Sequence, residues 1–280
     1  MASASVANAL MIENTITASA QASAGLATDM NSDSGPVSAS AGAFASEPGT
    51  GAGDAFAFGE NTGRYGAFTN IFAAGRAQAT VEWTRKVTND ETDPLNIFLD
   101  LFIYGGNLQI SELGQVASYD WSITAMTPNG DITVLDSEVS IDGTSITEGG
   151  ADGGLDTDGD DDAFFYDFDS RTISDFALGQ LLPGEMLTIE YSLDVITDGS
   201  ALDLNTVFCD DYGGEYGGEY GGCFAGVFTG DPGNVTPQSV QITGVPVGTT
   251  SVPEPSSLAL LGVGLAGAAA SRRKKKKVDS

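Results

Sequence analysis

The sequence predicts an all-β fold, an antiparallel β-sandwich of the jelly-roll kind, with a low-complexity N-terminal segment and a single short C-terminal transmembrane helix. Three observations predict it. Apolar and polar residues alternate with period two through several segments; Gly, Asn and Pro punctuate those segments at short intervals; and no long segment carries apolar residues at helical spacing. At 280 residues the chain can hold one large β domain with tails. The expected division is 1–65, an Ala/Ser/Gly-rich segment; 66–247, the sandwich; and 248–280, a terminal signal.

Residues 1–65 are dominated by small side chains. Alternation such as SASAGAFAS is consistent with a weak strand bearing a row of methyls, or with a partly disordered leader, because small side chains bury little area to offset the ordering entropy. In RAQATVEWTRKVTN, by contrast, Ala77, Ala79, Val81, Trp83, Arg85 and Val87 alternate with polar residues up to an NDETDP turn, the period of a half-buried strand. PLNIFLDLFIYGG is nearly continuous in apolar residues, which predicts a central strand buried on both faces, started by Pro94 and stopped at Gly105 and Gly106. YDWSITAM and DITVLDSEVSI flank TPNG, where Asn129-Gly130 signals a hairpin.

An acidic loop follows, then AFFYDFDS and RTISDFALG. Beyond the LLPGE turn, MLTIEYSLDVITDG places Leu187, Ile189, Tyr191, Leu193 and Val195 on one face. Thr188, Glu190, Ser192 and Asp194 lie on the other, the clearest strand of the chain. CFAGVFTGDPGN and PQSVQITGVPV complete an expected eight or nine strands. Trp83 and Trp121 stand in phase with apolar neighbours and are expected in the core.

The charge balance excludes several functions. Asp and Glu number 39 against 11 Lys and Arg, for a net charge of -28. Six of the cations, Arg272, Arg273, Lys274, Lys275, Lys276 and Lys277, are consecutive near the C-terminus, so the body is more acidic than the total implies. Such a body repels polyanions, and no nucleic-acid partner is expected. There is no His, which removes Ser-His-Asp and Cys-His catalysis and the commonest zinc ligand. The two cysteines, Cys209 and Cys223, flank DDYGGEYGGEYGG. In an exported protein they are expected to form a disulfide, with a loop-closure gain of roughly 3 kcal/mol; in a reducing compartment they stay free thiols.

The apolar stretch Leu258 to Ala270 is shorter than the roughly 20 residues of a comfortable membrane span. With the flanking serines and snorkelling Lys and Arg stems it reaches the lower edge of one. Gly264 and Ala268 present small residues on one face. The six cations hold their end on the cytoplasmic side and leave the acidic body outside, while Pro253 and Pro255 keep the preceding segment extended. Val252-Pro253-Glu254-Pro255, the short apolar helix and the terminal RRKKKK, in that order, resemble the PEP-CTERM sorting signal of Gram-negative bacteria.

The resemblance implies export, transient residence in the inner membrane and processing near Val252, Pro253, Glu254 and Pro255 by an exosortase. A final location at the cell surface or in an exopolysaccharide or biofilm matrix follows from it. The first thirty residues contain no Lys or Arg, and NALMI is short for the apolar core of an export signal. The true start is therefore expected upstream.

Among side-chain clusters the richest is GLDTDGDDDAFFYDFD. Asp156, Asp158, Asp160, Asp162 and Asp167 fall at positions 1, 3, 5, 7 and 12 of an EF-hand-like register, which suggests a Ca²⁺ loop of a looser, extracellular kind. Asp161 replaces the usual Gly at position 6, Asp167 the usual Glu at position 12, and a strand follows instead of a helix, so a solvated acidic turn is the competing expectation. With so many acids, a close carboxylate pair carries no specificity for a glycosidase, and no enzymatic activity is expected. Tyr212, Tyr216 and Tyr220 offer exposed faces for sugars. The sequence thus predicts a structural or adhesive matrix protein, with a Ca²⁺-dependent carbohydrate-binding module as the alternative.

Overall fold

A computed structural model describes residues 10–156, 161–202, 223–229 and 238–247. These residues form sixteen strands. In chain order they are β1 (Leu10–Ala24), β2 (Ala27–Gly35), β3 (Ser38–Glu47), β4 (Gly51–Glu60), β5 (Arg64–Ala73), β6 (Gly75–Asn89), β7 (Leu95–Ile103) and β8 (Gly106–Ile110). The rest are β9 (Val116–Thr127), β10 (Gly130–Ile141), β11 (Ile146–Gly149), β12 (Phe165–Phe168), β13 (Arg171–Leu181), β14 (Met186–Asp198), β15 (Phe224–Thr229) and β16 (Gln238–Pro246).

Two antiparallel sheets result. The first has seven strands in the order β11-β10-β9-β14-β6-β1-β2. The second has nine and forks at β5. One edge of β5 pairs with β4, which pairs with β3. Its other edge is shared, with Phe68 to Phe72 facing β15 and Arg64 and Tyr65 facing β16. One branch continues to β8 and β12, the other to β7 and β13. The all-β, two-sheet expectation holds, with about twice the strands anticipated, and the small-residue N-terminal segment contributes four of the additional ones, β1 to β4.

The core between the sheets follows from the alternation. On β6 every second residue from Ala77 to Val87 is buried, and on β14 so are Leu187, Ile189, Tyr191, Leu193 and Val195. Trp83 pairs in register with Tyr191, and Tyr191 with Ile123. Trp121 is fully buried at 0% exposure and Trp83 nearly so, as their phase predicts. Tyr65 meets Trp121 edge-on and packs against Tyr191, ring centroids 6.1 and 4.0 Å apart. Each large side chain buried here contributes about 1.5–3 kcal/mol.

At one end the core is thin. Ala18, Ala20 and Ala22 of β1 face Ala39, Ala41 and Ala43 of β3 and Ala55 and Ala57 of β4, all buried. The sheets approach so closely that a methyl on Gly53 would sit 2.6 Å from the Arg76 carbonyl oxygen, and one on Gly59 would sit 2.7 Å from Ile16 Cγ2. The small-residue composition is what this narrow gap requires.

The strand Leu95–Ile103 corrects one expectation. β7 is buried on one face only: Leu95, Ile97, Leu99, Leu101 and Ile103 are fully covered, while Asn96, Phe98, Asp100 and Phe102 are half-exposed. Its continuous apolar run reflects an outer face that itself carries aromatic residues. The TPNG hairpin forms as expected, with Thr127 opposite Gly130 and the Thr127 hydroxyl donating to the Gly130 carbonyl at 2.8 Å.

Candidate functional site

The last described strand delivers the chain to its terminal segment. β16 pairs along β7 from Ser239 opposite Phe102 to Pro246 opposite Leu95, and the Val247 amide donates to the Pro94 carbonyl at 2.9 Å. The VPEP segment (Val252 to Pro255), the apolar stretch Leu258 to Ala270 and the basic cluster Arg272 to Lys277 lie outside the described residues. No helix among the described residues is long and apolar enough to cross a membrane.

The two outer faces of the sandwich differ in chemistry. On the first sheet, Gln78, Thr80, Glu82 and Thr84 of β6 stand beside Ser192, Asp194 and Glu190 of β14 and Ser118, Asp120 and Ser122 of β9, all partly or fully exposed. Three carboxylates lie directly opposite one another there, Glu138 against Asp120 and Asp120 against Asp194. Burial first, and then the neighbouring charges of Glu138, Asp194 and Asp136, raise the pKa of Asp120 above the usual carboxylate value. Asp194 is held by the Gln78 amide, which donates to both of its oxygens at 3.0 and 3.1 Å, and by the Thr80 hydroxyl.

The outer face of the second sheet is aromatic. Phe56 lies opposite Phe68, Phe68 opposite Phe228, and Phe72 opposite Phe224, giving one half-buried row across β4, β5 and β15 and a second across β5 and β15. Between the rows runs a polar line in which Asp54 is opposite Asn70, Asn70 opposite Gly226 and Gly226 opposite Gln109. Phe224 and Phe228 lean together over Gly226, 6.4 Å apart and nearly parallel, where a methyl would meet them at 2.8 and 2.7 Å. Sequence reading missed this face. The signal was present in GAGDAFAFGE, where Ala55 and Ala57 point inward and Phe56 and Phe58 outward, the reverse of what side-chain size suggests.

The acidic loop is described in part. Asp158 and Asp160 lie outside the described residues. Asp162 closes its own turn, its Oδ1 accepting the Phe164 and Phe165 amides at 2.8 and 2.9 Å, and Asp161 Oδ1 accepts the Asp167 amide at 2.9 Å. The acid that senses Asp156 and Asp167 is thus Asp161: burial, followed by the charges of those two neighbours, pushes its pKa up to about 6. The Asp156 amide donates to the Tyr166 hydroxyl at 3.0 Å. Among the described residues, no group of three His, Cys, Asp or Glu side chains is placed to hold a metal ion.

Cys223 is fully buried just before β15, and its carbonyl accepts the Ala73 amide at 2.7 Å. Cys209 and the three tyrosines Tyr212, Tyr216 and Tyr220 lie outside the described residues.

No curated protein matches the chain, and no solved structure does. Residues 251–274 match the PEP-CTERM protein-sorting motif. They cover the VPEP sequence, the apolar stretch and the start of the basic cluster, in agreement with the resemblance drawn from those residues. An exosortase partner and a surface or extracellular fate are implied by such a motif. The chain is a two-sheet β protein that carries a PEP-CTERM protein-sorting motif behind its last described strand.

Proposed function

We propose that the chain is an exported, non-catalytic protein of the cell surface or extracellular matrix, structural or adhesive in role, whose terminal segment an exosortase processes at Val252 to Pro255. The observation that carries this reading is the sorting motif at residues 251–274, which follows β16 within a few residues. In this reading Leu258 to Ala270 spans the inner membrane transiently and Arg272 to Lys277 stay on the cytoplasmic side. The acidic body suits an aqueous, polysaccharide-rich setting and disfavours anionic surfaces.

The test is to collect the protein from the surface and medium of its native producer and determine both termini by mass spectrometry. A C-terminus near Pro255 supports the reading; an intact RRKKKK tail confined to the membrane fraction overturns it.

A second reading, a carbohydrate-binding module, is favoured by the aromatic rows of the second sheet, since phenyl faces stack on sugar rings and the Asp54, Asn70 and Gln109 line offers partners to hydroxyls. Its Ca²⁺ dependence would rest on the Asp156 to Asp167 loop. Retention on isolated matrix glycans that chelation abolishes would support this reading, and no retention with or without Ca²⁺ would exclude it.

A further inference from the structure

The two sheets come together at one corner through their edge strands, β2 and β3, and no backbone ladder joins these two. Carboxylates join them instead. Asp29 Oδ2 accepts the Phe44 amide at 3.0 Å, Asp33 Oδ2 accepts the Ser40 amide at 3.0 Å, and Glu47 Oε2 accepts the Leu26 amide. The spacing is that of an antiparallel strand pair: four residues forward on β2, from Asp29 to Asp33, match four residues back on β3, from Phe44 to Ser40.

β3 pairs with β4 along one edge, and its other edge runs beside β2 without a backbone ladder. The Ser40 and Phe44 amides belong to that unladdered edge, where a foreign strand would add once β2 moved aside. Exposed apolar residues crowd the same corner, with Leu26 at 92%, Met30 at 71%, Val37 at 61% and Phe44 at 58%. An unladdered edge beside such residues is a template for edge-to-edge association, and identical chains present identical edges.

We propose that Asp29 and Asp33 form an edge latch: by occupying the Phe44 and Ser40 amides, they close β3 to strand addition by a second copy of this chain. The latch works through hydrogen-bond acceptance, with the side chains standing where a neighbouring backbone would otherwise supply carbonyls.

The test uses the full chain, purified in mild detergent, with its mass followed by light scattering. The double variant Asp29→Ala, Asp33→Ala is expected to shift from single chains to dimers and larger species. Asp29→Asn, Asp33→Asn keeps an acceptor oxygen at each site and is expected to stay single. A single-chain Ala variant overturns the proposal, and so does an Asn variant that assembles as the Ala variant does, since that would make charge repulsion the guard. Should the Ala variant not fold, amide exchange in the unmodified chain decides. The Ser40 and Phe44 amides are expected to exchange roughly tenfold slower than the Gly42 amide, which lies between them on β3. Equal rates at the three positions overturn the latch.

Discussion

The guanidinium of Arg85 lies over the indole ring of Trp83, 4.0 Å from its centroid and two positions further along β6. Asn14 of the neighbouring β1 ties the two together, its Oδ1 accepting Trp83 Nε1 at 3.1 Å and Arg85 Nε at 2.9 Å, while Arg85 Nη2 donates to the Asn61 carbonyl. Burial brings the Arg85 pKa down to about 10, the signature of a cation kept from water. Asn14→Ala leaves two part-buried donors without their acceptor and is expected to cost about 1–3 kcal/mol. Chemical denaturation measures it, and an unchanged midpoint would show that water replaces the Asn14 oxygen.

The thin, alanine-lined end of the core makes opposite predictions for two glycines. Gly53→Ala places a methyl 2.6 Å from the Arg76 carbonyl oxygen and 3.3 Å from that of Ser23, so backbone must move and a loss of about 1–3 kcal/mol is expected. Gly42→Ala meets nothing nearer than Phe56 Cδ2 at 3.4 Å. It is expected to be neutral or to stabilise by up to about 1 kcal/mol through the unfolded chain. Thermal melts of the two variants side by side test the contrast.

Asp161 gives the fold a pH dependence of definite sign. Its pKa is raised from the ordinary 3.8 to about 6, so the folded chain holds this proton more tightly than the unfolded one. Its contribution is fully present below pH about 4 and is lost as pH rises through about 6. Asp161→Asn is expected to flatten the stability profile across that window. A slope as steep as that of the unmodified chain would assign the dependence to other carboxylates.

The proposed bridge between Cys209 and Cys223 predicts that the denatured, exported protein exposes no thiol to an alkylating reagent. Labelling of both cysteines would exclude the bridge. Cys223→Ser is expected to cost roughly 3 kcal/mol, the loop-closure value for a ring of this size.

The fold was most legible where alternation coincided with large side chains. Leu187 to Val195 and Ala77 to Val87 announced β14 and β6, and both tryptophans lie where their phase placed them. The N-terminal strands were harder to read because Ala18, Ala20, Ala41 and Ala57 look like low-complexity chain until a second sheet stands close enough to need nothing larger. Phe98 and Phe102 misled for the related reason that an aromatic outer face cannot be told from a buried one by hydropathy. Partners distant in sequence, such as Asn14 and Asn61 for Arg85, leave no local trace. The sorting motif was legible because its three parts, VPEP, an apolar run and a basic cluster, follow one another in the sequence and need no fold to bring them together. Within the acidic loop, counting carboxylates favoured Asp162, whereas the turn geometry gives that residue to its own backbone and leaves Asp161 facing Asp156 and Asp167.

The pairing of β16 with β7 has a mechanical consequence. The strand nearest the sorting motif is held by a ladder running from Ser239 to Pro246, antiparallel to β7, and it reaches β5 at the fork as well. A tether attached beyond Val247 and pulling along the strand loads this ladder in shear, so its hydrogen bonds share the force and do not open one at a time. The body is thus joined to the segment that carries the sorting motif through a strand laddered along its length, which resists a pull along its own axis.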